Sequence, residues 1–369
     1  MKLRPLTADD AEQAWNLSLL AFGGDPEAPP QPGPPGPAVG AFDERGRLLA
    51  AARARPYHQW WCGLPVPMAG IAGVAVHPDA RGQGLVGRLM DALVGSAEQP
   101  VSALFPTAPR IYRRLGWEVV GRLDHTVVPV SSLPRAAQVP LRGATPGDLT
   151  ALTALYDERG RAGSGLLTRT GPSFAKGPAG LLEHQVVTLA VEDGIVVGYL
   201  AYDRGRGYRG GASLRVWECV TASPSALRSL LAGLAGWEGV VDTVTWRGRT
   251  DDLALALDRS LPPPSEVQPW MLRVLDPVAA VAARGFGPGE ARVPFAVDGV
   301  GYLLEVADGR GRLTPTAADG LPVVTAQGLA LLYAGMAQGR LLRAGLLDRP
   351  APALEAAFAG PVPEILDYF

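Results

Sequence analysis

The chain carries one order of local patterns twice, and that repeat constrains its fold more than any other feature. "LRPLTADDAEQAWNL" (3–17) is matched by "LRGATPGDLTALTAL" (141–155): a short strand, a polar helix start and a helical pattern. "AVGAFDERGRLLAAARA" (38–54) and "TLAVEDGIVVGYLAYD" (188–203) each have the apolar–turn–apolar form of a β-hairpin. "IAGVAVHPDARGQGLVGRLMDALVG" (71–95) and "LRVWECVTASPSALRSLLAGLAG" (214–236) each run strand, break, helix. A duplicated α/β domain accounts for all three correspondences.

The copies differ at the break. The first has Arg81-Gly82-Gln83-Gly84; the second has Ser223-Pro224-Ser225-Ala226, a closed helix start with Ser as N-cap and Pro at the first helical position. In the first copy Leu85, Val86, Leu89, Met90, Leu93 and Val94 recur at helical spacing, so the helix begins beside Gln83-Gly84. The first N–H groups of a helix lack internal partners and together carry about half a positive charge. Glycines there let an anion reach the backbone, and Arg81 adds a full charge. The turn suits a diphosphate, yet it is neither a Walker loop nor GxGxxG. One copy keeps a site and the other a scaffold.

After the proline-rich joint "RSLPPPSEVQPW" (259–270) the pattern changes to a third, α+β segment, with a strand and helix in "MLRVLDPVAAVAARG" and strands, a hairpin and a helix beyond. With 369 residues, 47% hydrophobic and 19% charged, the chain can bury several cores. A net charge of −2 excludes a global electrostatic case for nucleic acid or a membrane surface. Lysine occurs only at Lys2 and Lys176, while Gly (46) and Pro (35) abound, a compositional bias that weakens any single Arg/Gly cluster. "RGRGYRGG" (204–211) is therefore poor evidence for RNA, and "DPEAPPQPGPPGP" (25–37) reads as a loop of the first domain. Cys62 and Cys219 are expected to be reduced, buried thiols. The four histidines show no metal-ligand spacing, and no metal is expected. With no apolar signal core and no 18-residue apolar run, the expectation is a soluble, cytoplasmic protein without membrane insertion.

The spacing R-x-x-G-x-V after an apolar strand resembles the acyl-CoA loop [QR]-x-x-G-x-[GA] of the GNAT acetyltransferase superfamily; Arg81 and Gly84 match, and Val86 departs. "IYRRLGWEVVG" (111–121) resembles the superfamily's "FYxxxGF" element. Across its whole length the chain resembles the enhanced intracellular survival (Eis) family, which also has an aliphatic residue at the position of Val86 and a chain ending in an aromatic residue, here "EILDYF". The resemblance implies two tandem GNAT-like domains followed by a sterol-carrier-protein-like α+β domain. Their expected bounds are 1–138 (binding acetyl-CoA), 139–264 (degenerate) and 265–369, the last supplying the C-terminal carboxylate.

The same resemblance implies an acetyl-CoA-dependent N-acetyltransferase acting on a primary amine of a small polyamine-like or peptide/lysine acceptor. Val74, Ala75 and Val76 would hold the pantetheine arm. Arg81, Gly82, Gln83, Gly84, Leu85, Val86 and Gly87 would wrap the diphosphate, with Thr107 and Ala108 beside the cofactor. Tyr112 would be the general acid and the α-carboxylate of Phe369 the general base. Asp25, Glu27 and Asp367 are candidates for an acidic acceptor pocket, and Trp15, Phe22, Trp60 and Trp61 for an aromatic wall. The penultimate residue, Tyr368, is not an acid, which argues against aminoglycosides. The family's habit implies a homo-oligomer, a hexamer. The alternative reading is a non-catalytic acyl-CoA or lipid-binding protein on the same scaffold.

Overall fold

The computed structural model describes residues 1–25, 27–28, 35–174, 177, 179–205 and 211–369. The stretches 25–37 and 204–211 singled out above lie largely outside them. The first unit runs β1 (Lys2–Pro5), α1 (Ala11–Phe22), β2 (Ala38–Phe42), β3 (Leu48–Trp61), β4 (Leu64–Val76), α2 (Leu85–Gly95), β5 (Val101–Leu104), α3 (Pro109–Arg114) and β6 (Glu118–Pro129). The second runs β7 (Leu141–Gly143), α4 (Leu149–Ala162), β8 (Ser164–Leu167), α5 (Ala179–His184), β9 (Val186–Glu192), β10 (Ile195–Arg204), β11 (Ser213–Thr221), α6 (Pro224–Ala235), β12 (Thr243–Arg247), α7 (Thr250–Leu257) and β13 (Glu266–Val274). The third has α8 (Pro277–Ala283), β14 (Ala291–Val297), β15 (Val300–Ala307), β16 (Arg310–Pro315), β17 (Val323–Val324), α9 (Ala326–Tyr333), α10 (Gln338–Arg343) and α11 (Pro352–Phe358).

The repeat is visible at the level of single hydrogen bonds. In the first copy Arg4 grips Asp10 through two nitrogens at 2.6 and 2.7 Å, and the Thr7 N–H donates to the same carboxylate at 2.8 Å. In the second, Arg142 grips Asp148 at 2.6 and 2.8 Å, and the Thr145 N–H donates to it at 2.8 Å. Each carboxylate thus opens a helix by satisfying an amide that the helix cannot. The read hairpins are present as β2–β3 and β9–β10. Three Asp-Gly pairs, at 193–194, 298–299 and 308–309, take positive φ at both residues, the geometry that matches the twist of paired strands.

Both copies share one 13-stranded sheet, ordered β1-β2-β3-β4-β5-β13-β6-β12-β11-β10-β9-β7, with β8 paired to β3. The crossing strand β13 leads into the third segment but lies between β5 and β6 of the first unit. Its Trp270, Met271 and Leu272 are fully buried there. Trp61 joins this core against Trp270 and Tyr333, and Trp60 packs on the second unit at Gly160. These two tryptophans therefore fill the interior and form no ligand wall. The third unit has its own sheet, β16-β15-β14-β17. Phe295, Leu304, Leu329, Leu332, Leu354 and Phe358 fill its interior, each at most 2% exposed. Cys219 is buried, whereas Cys62 is partly exposed at the β3–β4 turn, where its φ is 48°.

Beyond α11 the last residues cross back over the second unit. The Glu364 N–H donates to the Ser164 carbonyl at 2.8 Å, and a Cβ on Gly165 (φ +99°) would lie 2.4 Å from the Glu364 carbonyl oxygen. Arg159 pairs with Glu364, and Arg169 bridges Asp367 (3.0 Å) and the buried Glu218. Tyr156 donates to Asp367 at 3.1 Å, and Tyr199 donates to Glu218 at 2.8 Å. No helix among the described residues is long and apolar enough to cross a membrane.

Gly165→Val should push this tail off β8 and lower stability by about 2 kcal/mol in chemical denaturation. The arginine hydrogen bonds hold the Asp10 and Asp148 carboxyls well below the usual carboxylate range. Groups depressed in this way stabilise the fold above their unfolded pKa of about 3.9 and lose that contribution as pH falls below it. The double variant Asp10→Asn/Asp148→Asn should be less stable at pH 7 and show a shallower acid limb between about pH 4 and 2.

Candidate active site

The site begins with strands that part. β4 pairs in parallel with β5 only from Met68–Val101 to Ile71–Leu104. β4 then runs on to Val76 while β5 ends, so among the described residues Ala72 to Val76 have no strand on that side. On the other side, β3 pairs Ala51 with Ala75 and Arg53 with Ala72, so Ala52 alone opposes Gly73 and Val74. This one-residue bulge, with Gly73 at φ +60°, bends β4 and turns its backbone toward the gap. Val74 and Val76 are half-buried and Ala75 is buried, as a strand lining a cleft requires.

At the end of β4 the chain turns through Gly82 (φ +78°) and Gly84 (φ +70°) into α2. Gly84 is the N-cap and offers no side chain to the first-turn amides of Leu85, Val86 and Gly87. A Cβ at Gly82 or Gly84 would meet nothing within 4 Å, so those amides face open space. Arg81 is exposed beside them and has no ion-pair partner among the described residues. Gln83 is exposed and reaches the Asp79 carbonyl at 3.4 Å. Leu85, Leu89, Met90 and Leu93 anchor α2 in the core. The residues present therefore fit a diphosphate: unpaired amides, a full positive charge and no side chain in the way. In the second copy Ser223 accepts from the Ala226 N–H at 3.2 Å and Pro224 follows, so that helix start is already satisfied.

Thr107 is exposed at the exit of β5 and Ala108 is the N-cap of α3. On α3, Tyr112 is 6% exposed and meets Trp117 edge-on at 6.5 Å. Burial pushes its pKa up to about 12, and its hydroxyl has no hydrogen-bond partner among the described residues. It packs with Ala69, Ile71 and Leu104 on one face of the β4–β5 pair. The other face receives the chain terminus. The Phe369 ring is buried against Tyr57 (5.0 Å) and Phe105 (5.4 Å), and a Cβ on Gly70 would lie 3.0 Å from it. Tyr112 and Phe369 thus flank one strand pair from opposite sides.

Asp367, a candidate for an acidic acceptor pocket, is instead neutralised by Arg169. Asp25 is exposed and accepts from the Glu27 N–H at 3.0 Å. Sequence reasoning missed the clamp formed by Arg159, Arg169 and Glu218. Its single trace in the sequence is the acid pair Glu364 and Asp367 near a terminus.

Residues 2–120 and 165–274 each match a family model described as an acetyltransferase (GNAT) domain. Among solved structures, the chain is similar to a GCN5-related N-acetyltransferase from Kribbella flavida, at 31% identity and a TM-score of 0.84 over 100% of both chains. It is also similar to a GCN5-related N-acetyltransferase from Anabaena variabilis, at 26% identity and a TM-score of 0.86, again over 100% of both chains. The fold is shared by Eis1 from Mycobacterium abscessus at 21% identity and a TM-score of 0.75, with 100% of both chains covered. A search of curated protein sequences returns no match.

Arg81→Gln and Gly84→Val should each weaken acetyl-CoA binding about tenfold or more in calorimetry, the first by removing a charge contact and the second by placing a side chain before the amides. Unchanged circular dichroism melts of Arg81→Gln would show that its loss is local, whereas Gly84→Val also strains a turn at φ +70°.

Proposed function

Starting from the fact that the chain belongs to the GCN5-related N-acetyltransferase (GNAT) family, we propose that it is an Eis-like enzyme moving an acetyl group from acetyl-CoA to a primary amine. The observation that carries this reading is the pair of groups on the two faces of β4–β5: a phenol held protonated and a chain terminus held in place. Acetyl-CoA, when bound, supplies an activated thioester. Gly82 to Gly87 and Arg81 neutralise its diphosphate, and the backbone of Val74 to Val76 aligns its arm. Thr107 and Ala108 border the same cleft.

Tyr112 keeps its proton throughout the neutral range, because its pKa stands at about 12. A protonated phenol is what a general acid requires, and the same burial makes it a weaker donor than an exposed tyrosine. The Phe369 ring, buried against Tyr57 and Phe105, fixes where the terminal α-carboxylate sits. This carboxylate would take one proton from the ammonium, freeing the lone pair that attacks the thioester carbonyl; as the C–S bond breaks, the departing thiolate would take the Tyr112 proton, which the second nitrogen proton would replace. The second unit, with its closed helix start, serves as the clamp for that terminus. The packed interior of the third unit supports a sterol-carrier-like scaffold delivering the tail over a lipid carrier.

Tyr57 and Phe105 flank the terminal ring, Phe174 packs on Tyr57, and Arg55 reaches the Tyr57 hydroxyl at 3.4 Å. Apolar rings and a cation favour a singly charged acceptor, such as a lysine or peptide amine, over a polyamine. The two free cysteines fit a cytoplasmic location, and we carry homo-oligomerisation, as a hexamer, as part of the Eis-like reading.

Turnover with an amine panel tests the reading directly: CoA release is expected, and acetyl-CoA binding with no turnover on any amine would favour a non-catalytic binding protein. Tyr112→Phe should lower kcat by about 10² or more while leaving acetyl-CoA affinity within about threefold. A glycine appended after Phe369 should lower kcat similarly by moving the carboxylate. The acid form of Tyr112 is lost only as pH rises through about 12, so Tyr112 should add no alkaline limb to the rate profile below about pH 11.

A further inference from the structure

The second unit repeats the parting of strands at its own site. β11 and β12 pair in parallel from Ser213–Thr243 to Val216–Trp246, after which β11 continues to Thr221 and β12 ends at Arg247. As on β4, a one-residue bulge sits at the parting, here at Trp217. The gap opens a cavity of about 710 Å³ walled by Leu155, Leu227, Trp246 and Leu253, with Val362 and Leu366 of the tail as a further wall.

This cavity is unsuited to a CoA arm. The helix start is capped by Ser223, and the Cys219 carbonyl on the parting strand already accepts from Arg159 at 2.6 Å. What remains unmet is a cation. Arg247 lines the cavity, its Nε is buried without a hydrogen-bond partner, and it has no ion pair among the described residues. Its guanidinium stands 5.3 Å from the Trp217 ring and feels the charges of Asp367 and Glu218, beside a neighbouring cavity of about 290 Å³ that Arg247 also lines. The nearby carboxylates are engaged elsewhere: Glu218 and Asp367 by Arg169, Glu364 by Arg159, and Asp252 by Arg249 at 3.5 Å. Burial lowers the pKa of Arg247, yet a guanidinium remains charged. A buried donor without an acceptor is an unfavourable state that a matching ligand relieves.

We propose that this cavity is a second ligand site, taking a small carboxylate with an apolar tail, of the kind a short or medium acyl carboxylate presents. The planar head matches the guanidinium fork of Arg247, and the tail lies against Trp246, Leu227 and Leu253. The exposed acids Glu158 and Asp252 at the mouth disfavour multiply charged phosphates. The site stands apart from the β4–β5 cleft and does not depend on acetyl transfer there.

Hexanoate is the probe, titrated calorimetrically into the full chain, with hexanol as the uncharged match. The expected result is one hexanoate site, with hexanol at least about tenfold weaker and Arg247→Met reducing hexanoate affinity at least about tenfold. Arg81→Gln and saturating CoA should leave hexanoate binding unchanged. Should Arg247→Met fail to fold, the comparison of hexanoate with hexanol on the unmodified chain decides. Absence of hexanoate binding at millimolar concentration, equal affinity for hexanol, or displacement by CoA would each overturn the proposal.

Discussion

The parallel pairing of β4 with β5 ends at Ile71 and Leu104, and the site is organised around that end. A strand that continues without a neighbour exposes backbone donors and acceptors, which a buried sheet does not tolerate unpaired. The bulge at Gly73 bends β4, the glycine turn at 82–84 leaves the amides of α2 open, and the two features stand on either side of the end of β4. Nothing else in the first unit has to be special. Its remaining core is ordinary packing of Leu85, Leu89, Met90 and Trp117 against the sheet.

The other two units are best understood through the chain terminus. Phe369 reaches the β4–β5 pair only because its tail is held along β8 by backbone and ionic contacts at once. The clamp is half-buried around the buried Glu218, and its strength rests on mutual neutralisation: Arg169 faces two carboxylates, each of which also accepts from a tyrosine. Removing one member of such a set strands the others, which makes it a device for position more than for net stability. Glu218 is held below the usual carboxylate range by the Arg169 guanidinium in spite of its burial, so the clamp stays charged at neutral pH. The second copy thus holds a chain terminus, while the first leaves the start of its helix open.

Much of this was legible in the sequence because its signals are local. Leu3-Arg4 with Thr7 and Asp10 recurs as Leu141-Arg142 with Thr145 and Asp148, and both sets make the same bonds. The contrast between Gly84 and Ser223 at two helix starts is likewise a matter of a few adjacent residues. Tyr112 lay on the helix expected for it. The insertion of β13 between β5 and β6 was not legible, since an apolar strand says nothing of which neighbours it takes. Trp60 and Trp61 were open to two readings, because a tryptophan serves a core as well as a ligand wall, and the structure assigns both to the core. The role of Asp367 was obscured for the same reason as the clamp itself, since Arg169 is remote in sequence and only the fold brings the two together.

The central claim is that unpaired amides at the start of α2 hold the diphosphate of CoA. Backbone amide resonances followed by NMR as CoA is added test it most directly, residue by residue. Shifts concentrated at Gly82, Gly84, Leu85, Val86 and Gly87, with Ser223, Ser225 and Ala226 unmoved, are expected. Saturating CoA that leaves the Gly84–Gly87 amides in place while moving those at Ser223, Ser225 and Ala226 would contradict it.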